Sequence, residues 1–159
     1  MYDLNTYRIF LGSTLDRALL VKFMFKTYSE LFPSQNFSHL ATTVEQYLSG
    51  DTPLWWVEPS REATVTPVAC LWVGNAIDQV AGNRYPHIFL LYVEPTHRRR
   101  GIAKSLMRSL ENLAIQRGDR QIGLQVFASN TPALNLYQHL GFQTQSLGMV
   151  KMLTPGVSS

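Results

Sequence analysis

Apolar and polar positions along the chain change period several times, and each change marks an element. Tyr7 to Leu11 is short and apolar enough for a first strand. Leu19, Leu20, Phe23, Met24 and Tyr28 then recur at helical spacing, with Asp16 placed to cap the helix and Pro33 ending the region. Phe37, Leu40, Ala41, Val44 and Leu48 repeat the same spacing up to Gly50. Leu54–Glu58 reads as a strand, residues 59–67 as a polar turn between prolines, and Val68 to Val73 as a strand closed by Gly74. Residues 75–86 read as a loop, and His87 to Val93 as a strongly apolar strand that stops before Pro95.

Beyond Pro95 the period becomes helical again. Ile102, Leu106, Leu110 and Leu113 form one face, widened by Ala103, Met107 and Ala114, and Gly118 stops the helix. Ile122 to Phe127 predicts a further strand, and Thr131 to Leu140 a short helix ending at Gly141. Residues 142–144 and 147–153 predict a final hairpin. The order β-α-α-β-β-β-α-β-α-β-β describes an α/β protein with a mixed central sheet and flanking helices. Its strand-helix-strand unit is right-handed if the two strands are parallel. A length of 159 residues fits one domain over residues 1–154, with a loose tail at 155–159.

Composition narrows the chemistry. The single cysteine, Cys70, excludes an intrachain disulfide and sits in an apolar run, where it reads as a buried small hydrophobe. The four histidines show no zinc-like spacing, so no metal is expected. The first residues lack a basic, apolar leader, and no run of 18 apolar residues is present. The expectation is a soluble, cytoplasmic protein without a membrane partner. Charge is split: residues 1–80 carry 5 basic and 8 acidic side chains, residues 81–159 carry 9 and 3. A basic second half suits a polyanionic ligand, nucleotide cofactor or nucleic acid.

The segment Leu91-Tyr92-Val93-Glu94-Pro95-Thr96-His97-Arg98-Arg99-Arg100-Gly101-Ile102-Ala103 is a strand, a turn and a helix opening. The first turn of a helix has N–H groups without internal partners, and they favour an anion. Gly101 permits close backbone approach, and arginine suits phosphate geometry. The segment matches neither GxxxxGK[ST] nor GxGxxG. Taken alone it is an anion site or a solvated basic cluster.

Arg98-x-x-Gly101-x-Ala103, after a strand ending in Val93-x-Pro95, resembles the Q/R-x-x-G-x-G/A acyl-CoA motif of the GNAT superfamily of N-acetyltransferases. Val126-x-x-x-Asn130-x-x-Ala133-x-x-Leu136-Tyr137-x-x-Leu140-Gly141-Phe142 resembles a later segment of that superfamily, in its usual order and spacing. The resemblance covers residues 87–144. It implies the GNAT fold, acetyl-CoA as cosubstrate, and direct transfer to a primary amine in a ternary complex. It further implies that the amides of Arg98, Arg99, Arg100, Gly101, Ile102 and Ala103 hold the pyrophosphate. Backbone at Leu91, Tyr92 and Val93 would pair with pantetheine in a cleft between the strands at 87–93 and 122–127. An amide near Val93 would support the oxyanion. Asn130 would touch the cofactor or brace its pocket.

Tyr137 matches the tyrosine that returns a proton to the CoA thiolate, and Leu140-Gly141-Phe142 reads as structural, with Gly141 capping and Phe142 in the core. Candidate bases are Glu58 and His87, with Asp78 and Glu94 also near the cleft. Trp55, Trp56 and Trp72 read as core or as walls of an acceptor pocket. A non-catalytic acyl-CoA-binding module is the alternative. Nucleic acid is not expected as a partner, since no groove-reading motif is present. A monomer or homodimer is expected.

Overall fold

The elements through the fourth strand and the helix after it follow one another along the chain as the apolar pattern predicts. The computed structural model describes residues 6–61 and 66–156. Residues 62–65 of the expected polar turn, the first five residues and the last three of the expected tail lie outside them. The elements are β1 (Tyr7–Leu11), α1 (Arg17–Leu31), α2 (Leu40–Tyr47), β2 (Leu54–Pro59), β3 (Ala69–Ile77), β4 (Arg84–Val93), α3 (Ile102–Gln116), β5 (Gly123–Leu124) and α4 (Thr131–His139). The chain divides into two compact units, Met1–Gln125 and Val126–Ser159.

In the first unit the sheet order is β1-β2-β3-β4-β5. The first three pairings are antiparallel and β4–β5 is parallel, so the sheet is mixed. Alternation along each strand separates two cores. Leu54, Trp56, Cys70, Trp72, Leu90 and Tyr92 pack with Leu20, Phe23, Met24, Leu40 and Val44 of α1 and α2. The intervening residues Val57, Ala69, Leu71 and Val73 are also buried, and α3 packs on β3 and β4 with Ile102, Leu106, Met107, Leu110 and Ala114 buried. Cys70 is wholly buried and its thiol pKa is pushed up by that burial, which makes it a packing residue.

Four local differences from the pattern have physical causes. Asp16 does not cap α1. Ser13 caps instead the 3-10 turn Thr14–Asp16 that leads into it, and the Asp16 carboxylate accepts from Ser13 N at 2.8 Å and Trp56 Nε1 at 3.1 Å. Residues 75–86 are not a long loop. Asp78 closes a tight turn by accepting from Val80 N at 2.8 Å, and β3 and β4 extend on either side of it. The strand expected over 122–127 is ordered only at Gly123–Leu124, which pair with His87 and Ile88. The hairpin expected over 142–153 is not formed among the described residues. Its connection, Gln145-Ser146, lacks the Gly or Asn that a tight hairpin turn favours.

The register between β3 and β4 shifts at Trp72/Val73: Trp72 faces Leu90, Val73 faces Ile88, and Phe89 is the extra residue. This β-bulge turns Phe89 and Leu90 toward the same face. It also explains why β5 stops, because β4 is re-aimed just past Ile88. Gly74 makes room for the bulge: a Cβ there would lie 2.7 Å from Phe89 Cζ. Gly74→Ala is expected to lower stability by about 1–3 kcal/mol through overpacking. Chemical denaturation would show this as a lower midpoint at unchanged slope.

Candidate functional site

The site is built where β4 runs out of partners. Glu94 N–H donates to Val68 O at 2.8 Å. Counting back along the antiparallel ladder, Tyr92 and Leu90 turn their amide and carbonyl groups to β3, and Leu91 and Val93 turn theirs to the other edge. That edge is covered by β5 only at His87 and Ile88. From Phe89 onward, β5 leaves it open.

The open edge leads into the turn. Pro95–His97 forms one 3-10 turn, with His97 N–H bonded to Glu94 O at 2.9 Å. Arg98 is extended, Arg99 is left-handed at φ 62, and Gly101 is left-handed at φ 79, with no positive φ between them. Such alternation points successive N–H groups into one concavity, a backbone nest for an anion. The first bond of α3 runs from Ser105 N–H to Gly101 O at 3.0 Å, and no side chain caps the helix. The amides of Ile102, Ala103 and Lys104 are therefore left for a ligand or water.

The three arginines are disposed differently. Arg98 Nε donates to Val93 O at 2.8 Å, and its Nη2 reaches both carboxylate oxygens of Glu30 at 2.9 Å. Tyr92 OH donates to the same carboxylate at 3.0 Å, and its pKa is raised by burial and by that hydrogen bond. The Arg98–Glu30 pair is about two-fifths exposed on each side, so its energy is small, about 0–1 kcal/mol. Its effect is geometric: it fixes the turn to α1 and occupies the Val93 carbonyl. Arg100 Nη1 donates to Tyr7 OH at 2.7 Å, and Tyr7 OH lies 2.8 Å from His97 Nδ1. Tyr7 satisfies both when it donates to His97, which leaves the imidazole proton on Nε2. Arg99, exposed, has no side-chain partner among the described residues.

Of the candidate bases, Glu58 is buried on β2 and held by Arg8 of β1, whose Nε donates at 2.8 Å. Glu94 is ion-paired with Lys26 of α1. Asp78 is engaged in its own turn. His87 is half-buried on the stretch of β4 that β5 covers, two residues before the open edge, and burial lowers its pKa, keeping the ring neutral at pH 7. Trp56 and Trp72 belong to the core, and Trp55 is half-buried. Among the described residues no three His, Cys, Asp or Glu side chains group as metal ligands, and no helix is long and apolar enough to cross a membrane.

The second unit carries the other predicted residues. Asn130 caps α4, its Oδ1 accepting from Ala133 N–H at 3.3 Å. At the other end, Gly141 is left-handed at φ 94, with Gly141 N–H bonded to Gln138 O at 3.1 Å and Phe142 N–H to Tyr137 O at 2.9 Å. This is a Schellman ending. Phe142 is half-buried and does not fill a core. It packs edge-on against Tyr137, centroids 5.7 Å apart, which fixes the tyrosine ring. Burial raises the Tyr137 pKa.

An open strand edge, a left-handed turn and an uncapped helix define the acyl-CoA-binding class of α/β fold. The chain belongs to the acetyltransferase (GNAT) family, whose model matches residues 21–142. It is 30% identical over 118 residues to human N-acetyltransferase 8, covering 74% of this chain and 51% of that protein. The chain thus spans about half the length of that curated relative. Among solved structures it resembles a Clostridium acetobutylicum protein described as a predicted acetyltransferase with acetyl-CoA. The TM-score is 0.72 at 20% identity, covering 92% of this chain and 96% of that one. It also resembles an aminoglycoside acetyltransferase from an uncultured soil metagenomic sample in complex with sisomicin. There the TM-score is 0.71 at 15% identity, covering 96% and 100%.

Sequence reasoning missed Glu30, Tyr7 and Lys26. Each meets its partners 62 or more residues away, and no local pattern carries such a pairing.

Proposed function

We propose that the protein transfers the acetyl group of acetyl-CoA to a primary amine, directly, within a ternary complex. One observation carries this reading: the uncovered edge of β4 runs straight into the uncapped, nest-forming start of α3. Amides from Arg98 to Ala103 hold the pyrophosphate, with the Gly101, Ile102 and Ala103 groups at the helix dipole. The Leu91 carbonyl and the Val93 N–H pair with pantetheine as an added strand would, while Tyr92 braces the edge from behind. The Val93 carbonyl, taken by Arg98, is not part of that pairing.

The amine nitrogen attacks the thioester carbonyl, and the Leu91 N–H supports the oxyanion. The intermediate collapses by breaking the C–S bond. His87 takes the proton lost by nitrogen, Tyr137 gives one to sulfur, and the products are an amide and CoA thiol. The raised Tyr137 pKa keeps that proton in place at neutral pH. Asn130 holds the start of α4 and so places Tyr137. His87 is preferred to Glu58 because its ring has no ionic partner among the described residues.

Calorimetric titration with acetyl-CoA, then thiol release with a panel of primary amines, tests the reading. Binding with turnover is expected. Binding without turnover on any amine would leave a non-catalytic acyl-CoA module, and no binding would end the proposal. The pH dependence follows from His87. An imidazolium cannot accept a proton, and burial holds the pKa below 6.5. At saturating substrates kcat should therefore be flat from about pH 7 to 8 and fall only as pH drops below the ordinary histidine value. His87→Gln should remove that limb and lower kcat about 100-fold or more.

A further inference from the structure

The acceptor side of the bulge is aromatic. The Phe89 ring lies 4.8 Å from Trp72, 5.4 Å from Tyr47 and 5.4 Å from His87, centroid to centroid. Trp72 is wholly buried, Phe89 and His87 are half-buried, and Tyr47 at the end of α2 is 47% exposed. The rings therefore step from the core to solvent, with His87 among them. They sit where β5 ends and the open edge of β4 begins. Four residues of strand from Val93 back to Phe89 span roughly 13 Å, enough for the amide-bearing part of pantetheine to bring the thioester to the bulge.

Among the described residues, few carboxylates are free to meet a polycationic acceptor. Of 11 acidic side chains, Asp3 and Glu62 lie outside the described residues, leaving nine. Five of these are in ion pairs with arginine or lysine. Asp16 and Asp78 accept from backbone amides. Glu111 is on α3, which packs on the other face, so Asp51, in the turn between α2 and β2, is the one unpaired carboxylate left near α2.

We propose that the acceptor is a small primary amine bearing an aromatic or large apolar group, which packs on Phe89 and Tyr47 while its nitrogen faces His87. This rests on the donor assignment made under the proposed function. The apolar surroundings also help the chemistry. They disfavour the ammonium form, so the bound amine sheds its first proton to solvent and attacks as the neutral amine, leaving His87 to take the second.

Thiol release would be compared for phenethylamine, methylamine and spermidine, with amine binding to the CoA-saturated protein measured by calorimetry. Phenethylamine should have the highest kcat/KM. A ring stacked on Tyr47 is worth about 0.5–1.5 kcal/mol, so Tyr47→Ala should raise the phenethylamine KM relative to that of methylamine by about 3–10-fold. Tyr47→Phe, which keeps the ring, should restore the ratio. Preference for spermidine, or an unchanged KM ratio in Tyr47→Ala, would overturn the proposal. So would acetyl-CoA binding with phenethylamine neither bound nor turned over. Absence of acetyl-CoA binding is a different failure: it removes the donor assignment, and the acceptor proposal with it.

Discussion

Gly101→Val is expected to raise the Kd for acetyl-CoA more than about 100-fold, the largest effect of any single change in the turn. Two costs add. Gly101 is left-handed at φ 79, a region that costs an L-residue about 1–2 kcal/mol and that a β-branched residue rarely enters. Escaping that strain re-aims the amides, and each lost charge-assisted bond to a phosphate forfeits about 1.5–3 kcal/mol. A Cβ at Gly101 would meet no protein atom within 4 Å beyond its chain neighbours, so the loss does not begin with a packing clash. Gly101→Ala should fall between the two, at about tenfold. Calorimetry gives the affinities, and thermal melts check that the variants remain folded. Equal affinity in glycine and valine forms would take the turn out of the cofactor site.

Tyr137→Phe should keep acetyl-CoA affinity and lower kcat about 100- to 10,000-fold, the usual range for a lost general acid. The substitution removes one oxygen and leaves the edge-on contact with Phe142, so α4 and its Schellman ending should persist. Stopped-flow measurement of thiol release would separate chemistry from binding. A kcat within twofold of the parent chain would transfer the proton-donating role to water.

The sequence displayed strands β1 to β4 because each is a separate apolar run, and it displayed α3 because Ile102, Leu106 and Leu110 repeat at helical spacing. The turn was legible as an anion site because Gly101 and the helix start are local features. The bulge at Phe89 was not. Nothing in Ile88-Phe89-Leu90 marks an extra residue, and the matching signal, Gly74, lies on another strand. The shortened β5 follows from that bulge and was hidden with it. The arginine triplet read as three positive charges. Only the fold shows that Arg98 is turned back to Val93 and Glu30, and Arg100 to Tyr7. Glu58 was an open candidate because its partner Arg8 lies 50 residues away.

The central claim is that acetyl-CoA lies along the uncovered edge of β4 with its pyrophosphate on the opening of α3. A crystal structure of the protein with acetyl-CoA tests it most directly. The account predicts pyrophosphate oxygens within hydrogen-bond reach, about 2.7–3.2 Å, of amides in Gly101–Ala103, and pantetheine amides paired with the Leu91 carbonyl and the Val93 N–H. Cofactor bound elsewhere, with that edge and turn unoccupied, would contradict it.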